Sequence, residues 1–558
     1  MQRDCLAGSS TWSDDPATND WNTGANWVPH TVPNGPADVA TFGTSNLPEI
    51  SLSATVRVAS IGFNVGADAF RISVNPLGQL VITGAGITND SGIEQNFVTG
   101  TEFSGNLGGS ISFTDTSTAG SLAVFTNNGS IEGATGNGNT QFQDSSTAGN
   151  AVFINGPGGI VGGATVFSNF SGAGTASFTC QGGSESGGGL VLFENSSTAA
   201  NGTFLLEGAT SAGGGSGFMI FENSATADHA TFTLEGGRFS RAEGGQVIFS
   251  NASTADNALI SVNGTDINGA EGGQLNFFSG TTAGNATIVV NGGSAAGGIC
   301  SFEAGCDGGT ARLQIFGNGT LSIVTSGQIT LGSIEGDGIF GIDVSNVFVG
   351  RNNLSTTFSG TIGPAGAFHK IGTGTLTLSG SNTYDGGTVV DAGSLLIANQ
   401  TGSGTGLGPV SVIEGTLGGP GIIAGTVVLG TSSGSGAFLA PAGGSKKQAT
   451  LTIQSGVTLN SDATYTYTFK AKKNKAKTDK VIANGITING ASVNLSGQTQ
   501  GTLKRGLRFT LISNTSTNAI SGTFSNLPDG GIITINGNKF QASYQGGDGN
   551  DLILTVVP

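Results

Sequence analysis

Charge is scarce in this chain of 558 residues: Asp, Glu, Lys and Arg together make up 10% of it. Helical proteins need Glu, Lys, Ala and Leu in quantity, so a helical fold is excluded. The three histidines, His30, His229 and His369, lie far apart in sequence, which argues against a transition-metal centre. Four cysteines, Cys5, Cys180, Cys300 and Cys306, are too few for a disulfide framework. Cys180 aligns with an apolar position of a repeat described below and reads as a small core residue. Cys300 and Cys306 flank one segment and could bridge it if the compartment is oxidising, which the sequence leaves open. No run of 18 apolar residues exists, so nothing spans a membrane as a helix. The first five residues show no apolar stretch of the signal-peptide kind. The net charge of −16 argues against a nucleic-acid partner.

What the chain has instead is glycine, 99 residues of it, with abundant Ser, Thr and Asn around recurring Val, Ile, Leu and Phe. That supply suits short strands ended by tight turns. The strands repeat. Phe193, Phe221, Phe249 and Phe277 are spaced 28 residues apart, as are Thr198, Thr226, Thr254 and Thr282 and the alanines that follow them. Leu206, Leu234, Val262 and Val290 keep the same register, and Cys180 falls on the Leu206 position after a shorter coil. A period this regular means one supersecondary unit stacked on itself. Each repeat holds three short alternating runs ended by Gly or Asn, which predicts a triangular coil of a right-handed parallel β-helix, an all-β fold with coils of about 28 residues.

Coils stack about 4.8 Å apart, which places like residues above one another. The Phe column then forms an internal aromatic stack. Asn195, Asn223 and Asn251 are expected to form an amide ladder at a turn, and the Thr column a hydroxyl ladder. Each cross-strand pair of this kind contributes about 0.2–1 kcal/mol.

Four regions follow. Residues 1–50 hold all three tryptophans, Trp12, Trp21 and Trp27, together with Pro16, Pro29, Pro33, Pro36 and Pro48, and read as an N-terminal cap over the first coil. The alternative is a sugar-stacking aromatic platform. Residues 51–345 carry the repeat array, residues 346–445 a different repeat text, and residues 446–558 a β-rich C-terminal unit with longer alternating strands. Residues 445–510 hold eleven of the twenty Lys and Arg, including Lys470, Lys472, Lys473, Lys475, Lys477 and Lys480. This run reads as a solvated hairpin that discourages edge pairing, or as a foothold for acidic polysaccharide, lipid headgroups or a second copy of the chain.

The segment from Gly372 to Ile397, with Gly374-Thr-Leu-Thr-Leu-Ser-Gly-Ser-Asn-Thr-Tyr-Asp-Gly-Gly387 at its centre, resembles the autotransporter-associated β-strand repeat of bacterial passenger domains. The Trp-rich opening, Asp20-Trp-Asn-Thr-Gly-Ala-Asn-Trp27, resembles the start of exported β-helical proteins of the PEP-CTERM kind, and residues 522–551 resemble their closing unit. The resemblance implies export from a Gram-negative-type bacterium to the cell surface or medium. It departs from those families at the end: no transmembrane barrel and no Pro-Glu-Pro signal follow Val556-Val-Pro558.

Gly546-Gly-Asp-Gly-Asn-Asp-Leu-Ile-Leu554 fits a calcium-binding nonapeptide, with Asp548 and Asp551 as the candidate ligands. It occurs once, whereas a β-roll site draws on consecutive copies, so a turn entering the last strand is the favoured reading and no cofactor is expected. Glu194 and Glu222 fall on equivalent positions of successive coils, the one carboxylate pairing that would suit an enzyme. The expectation is a non-enzymatic extracellular scaffold, acting as adhesin, matrix component or filament subunit that self-associates head to tail. The alternative is a β-helix protein that binds or cleaves polysaccharide.

Overall fold

The computed structural model describes residues 8–101, 108–131, 133–324, 327–343, 345–434, 436–444 and 447–558, which leaves Cys5 outside the described residues. Among them there is no α-helix, and the chain forms a parallel β-solenoid. Two compact units divide it, residues 1–307 with 317–320, and residues 308–316 with 321–558.

In the first unit each coil of the array supplies one four-residue strand to each of two parallel sheets. Leu190–Phe193, Phe218–Phe221, Gln246–Phe249 and Gln274–Phe277 pair in register in the first sheet. Thr203–Leu206, Thr231–Leu234, Leu259–Val262 and Thr287–Val290 do so in the second. Side chains alternate between core and solvent along every one of them, as a period of two requires.

The expected third strand is absent. In its place Thr198, Thr226, Thr254 and Thr282 form a ladder of single-residue bridges, and the coil closes through a glycine-rich return. The cause lies in the residues on either side. Asp115, Asp144, Asn169, Asn195, Asn223 and Asn251 have φ between 55° and 60°, and Ala200, Asp228 and Asp256 are also left-handed, so the backbone turns too soon to extend. Asn195, Asn223 and Asn251 are exposed. What recurs down their column is a backbone conformation that Asn tolerates and β-branched residues do not.

In the next two coils Ser279 and Ala304 take the asparagine position, and the left-handed turn moves one place on to the glycines Gly280 and Gly305. Asn251→Gly is therefore expected to leave the thermal midpoint nearly unchanged, whereas Asn251→Val lowers stability by about 1–2 kcal/mol, read by thermal or urea melting.

The threonine hydroxyls do not bond from coil to coil. Each accepts the N–H two residues on within its own turn, Ala200 to Thr198 at 2.9 Å and Asp228 to Thr226 at 3.1 Å. Coils are linked by the preceding residue instead. Ser146 donates to the carbonyl of Phe113, Ser171 to Phe142 and Ser253 to Phe221, at 3.1–3.2 Å. Cys306 occupies this column and its thiol donates to the Phe277 carbonyl at 2.9 Å.

The two cysteines of the candidate bridge are thereby kept apart, both free and buried. Cys300 points into the core in register with Leu275, while Cys306 is held in the turn. Cys180 pairs in register with Leu206, and burial pushes its thiol up to about 12.

The core is a double column of rings. Phe193, Phe221, Phe249, Phe277 and Phe302 stack at centroid distances of 4.7–4.9 Å. A second column on the other sheet runs Phe97, Phe125, Phe153, Phe178, Phe204 and Phe232 and meets the first edge to face.

Trp12, Trp21 and Trp27 close the apolar end of this core. All three are buried, packed on one another and on Phe42 at 4.9–6.3 Å, and their indole N–H groups reach the carbonyls of Leu47, Pro33 and Trp21. Buried indoles offer no face to a sugar, so the stacking-platform reading is corrected.

In the second unit the coils are shorter. The strand Gln328–Gly336 pairs with Asn346–Val349 through its first residues and with Phe358 through Gly336, so one sheet forks into two parallel series. Ala367–Lys370, Thr388–Val390 and Val410–Val412 continue one branch. Thr375–Leu378, Ser394–Ile397 and Gly415–Gly418 continue the other. Here like strands recur every 19–22 residues, which explains the changed repeat text. A seven-stranded sheet ends the unit, parallel through Arg508–Asn514 and antiparallel in its last three strands.

Candidate functional site

The second unit contains the one strongly cationic surface among the described residues. Ala463–Lys472 alternates without a break, burying Tyr465, Tyr467 and Phe469, and its last turn of alternation exposes Lys470 and Lys472. Lys473 takes a left-handed φ of 48°, the chain reverses, and Lys475–Thr478 returns antiparallel. The register sets Lys470 opposite Lys477 and Lys472 opposite Lys475, all four exposed.

The hairpin is fixed at its base by Asp479, which is buried. Its carboxylate accepts the Thr468 N–H at 2.8 Å, the Thr468 hydroxyl at 2.7 Å and the Ala449 N–H at 2.9 Å. No other carboxylate occurs between residues 463 and 528.

Between this hairpin and the strand Arg508–Asn514 runs an open groove of 930 Å³, lined by Lys470, Lys472, Lys475, Lys477, Lys480 and Arg508 with Thr, Asn and Gln side chains and, among the described residues, no acidic one. Lys473 projects at the tip of the hairpin. The contrast with the rest of the chain is steep. Residues 1–307 hold 25 Asp and Glu against 5 Lys and Arg, whereas residues 308–558 hold 11 against 15.

The other candidates do not gather into a site. Asp548 is exposed in the turn of an antiparallel hairpin, and the Asp551 carboxylate is engaged by the Asn514 N–H at 2.9 Å. No group of three His, Cys, Asp or Glu side chains able to hold a metal occurs among the described residues. Glu194 and Glu222 follow stacked phenylalanines on neighbouring coils, side by side rather than across a cleft.

Sequence reasoning missed Lys370. It lies on an inward position between Val349 and Val390 and is buried, and its ammonium donates to the carbonyls of Ile371 at 2.6 Å, Gly372 at 3.0 Å and Ala392 at 3.3 Å. It thereby ties the glycine turn of one coil to the next. Beside it His369 bonds Asp391 at 2.9 Å and stacks on Phe348.

Lys370→Met is expected to lower stability by about 3 kcal/mol, because buried carbonyls lose their donor. Burial lowers the ammonium pKa from 10.5 to about 8. From about pH 8 to 10.5 the unfolded chain therefore binds more protons than the native one, and wild type gains stability relative to Lys370→Met as pH rises. Urea midpoints at pH 7 and pH 10 check both statements.

Lys370 stands in a segment that known proteins share: the passenger-associated-transport-repeat family matches residues 368–397. The chain carries a passenger-associated transport repeat. A stretch of 94 residues is 38% identical to the Adhesin BmaC autotransporter of Brucella suis biovar 1 (strain 1330). That stretch covers 16% of this chain and 3% of the relative. The crystal structure of the Haemophilus influenzae Hap adhesin aligns with 93% of this chain and 63% of its own, at 11% identity and a TM-score of 0.25.

The repeat contributes the end of one strand, all of Thr375–Leu378 and Thr388–Val390, and closes on Ser394–Ile397. Its strands pair in register with one another and with those before and after them, so it is part of the solenoid and not an appended domain.

Proposed function

We propose that this chain is an exported, non-enzymatic passenger that works at the surface of a Gram-negative-type bacterium as an adhesin-class scaffold. The observation that carries the reading is the passenger-associated transport repeat seated within the stack at residues 368–397. The relative whose name is adhesin and autotransporter supports the same reading. A coil stack suits such a role, because each repeat is held by its neighbours and presents its turns at fixed spacing.

The test uses the native bacterium carrying an epitope-tagged copy. External protease on intact cells removes the tag, and deletion of the gene lowers attachment of the cells to surfaces or to one another. Full protection of the tag in intact cells, with attachment unchanged by deletion, contradicts the reading.

A further inference from the structure

We propose that the cationic groove of the second unit is a binding site for an anionic polysaccharide, a chain of sugars carrying carboxylate or sulfate groups. The hairpin concentrates like charge where it is costly. Lys470 faces Lys477 and Lys472 faces Lys475 across the antiparallel pair. Directly opposed residues hold their Cβ atoms about 4.5–5.5 Å apart, and like charges there are destabilising. Both oxygens of Asp479, the one acidic residue of the segment, are turned inward onto Thr468 and Ala449. The opposite wall adds Arg508, and Lys480 lies between.

A solvated hairpin that only blocks edge pairing needs a charge or two on its outer strand. This one sets four lysines in facing pairs and completes them with two cations from separate strands. Along each strand the lysines recur every second residue, about 6.6–6.8 Å apart, so the groove presents a row of cations to an extended anionic polymer.

The chemistry of the lining selects among polymers. Asn474, Gln498 and Gln500 supply amides that donate to and accept from sugar hydroxyls. Among the described residues no aromatic side chain lines the groove, so it lacks the stacking platform on which single-stranded nucleic acid depends. A second copy of the chain is a weaker fit. Its acidic residues are dispersed along the coils, and several already serve neighbours, Glu207 with Arg238, Asp266 with Ser294 and Glu271 with Gln274.

The experiment measures binding of the intact chain to immobilised polygalacturonate, heparin, neutral dextran and duplex DNA at about 0.15 M salt. Wild type binds at least one of the two acidic glycans saturably and ignores dextran, and a preference for polygalacturonate or heparin identifies carboxylate or sulfate as the recognised group. The quadruple variant Lys470→Gln, Lys472→Gln, Lys475→Gln, Lys477→Gln loses roughly tenfold or more in affinity and gives up part of the salt dependence. Its melting temperature equals or exceeds that of wild type, because the opposed charges are gone. Lys539→Gln, outside the groove, binds as wild type does.

Unchanged glycan affinity in the quadruple variant overturns the proposal. So does tighter binding to duplex DNA than to either glycan. Sedimentation of the glycan-free protein gives a third arm: self-association that the quadruple variant abolishes, with no glycan bound by wild type, assigns the groove to a second copy and overturns it as well.

Discussion

Phe221→Ala is expected to lower the stability of the first unit by about 3–5 kcal/mol, among the largest effects open to a single side chain here. The ring is fully buried, stacked 4.8 Å from Phe193 and 4.7 Å from Phe249, and it meets Phe232 of the second column edge to face at 5.9 Å. Removal therefore breaks two stacked contacts and one perpendicular contact, worth about 0.5–1.5 kcal/mol each beyond burial. It also leaves a cavity that coils paired in register cannot close without breaking their ladders. Because each repeat answers mainly to its neighbours, the loss is local. Amide exchange accelerates in the strands Leu190–Phe193 and Gln246–Phe249 and hardly at all near Trp27. Phe221→Leu, which keeps much of the volume, costs about 1.5 kcal/mol or less.

Gly188→Ala is expected to be at least as damaging, by about 4 kcal/mol or more, though it adds a single methyl group. A Cβ at Gly188 would lie 1.8 Å from the carbonyl oxygen of Ser216 on the next coil. One at Gly162 would lie equally close to the oxygen of Gly188, and Gly189 presses in the same way on Asn155. The return side of each coil runs backbone against backbone, and no rotamer can relieve a clash between main-chain atoms. The control is Gly62→Ala, a strand glycine with nothing within 4 Å of the added carbon, which is expected to be neutral or slightly stabilising. Urea melts of the three proteins side by side separate close approach from loss of chain flexibility.

These two sites show what the sequence made legible and what it hid. The column through Phe221 is plain because its members recur every 28 residues. The partner column through Phe204 is not, because Phe125, Phe153, Phe178 and Phe204 are 28, 25 and 26 apart, and Ile260 and Ile288 then replace the ring. Pairing holds them in line all the same, since a strand register tolerates coils of unequal length if the difference falls in the return.

The asparagine and threonine columns were visible as patterns but were assigned to ladders between coils. Nothing in a spacing distinguishes a side chain that bonds its neighbour from one that only permits a left-handed turn, or from a hydroxyl that serves its own turn. Lys370 went unseen because an isolated lysine in a polar segment looks solvated, and only the fold shows three carbonyls converging on it. The lysine run was legible as charge. Its arrangement into facing pairs beside Arg508 depended on a hairpin register and on a strand some thirty residues further on.

Like residues of successive repeats lie on adjoining coils, and cysteine cross-linking tests that most directly. Ser196 and Ser224 are exposed equivalents on neighbouring coils, whereas Ala252 is two coils from Ser196. In-register neighbours place Cα atoms about 5 Å apart, inside the 4.4–6.8 Å range of a disulfide, and two coils place them about 10 Å apart, outside it. Ser196→Cys with Ser224→Cys is expected to close an intramolecular disulfide under mild oxidation, seen by mass spectrometry of the non-reduced digest, while Ser196→Cys with Ala252→Cys does not. Equal cross-linking of both pairs, or of neither, would contradict the stack.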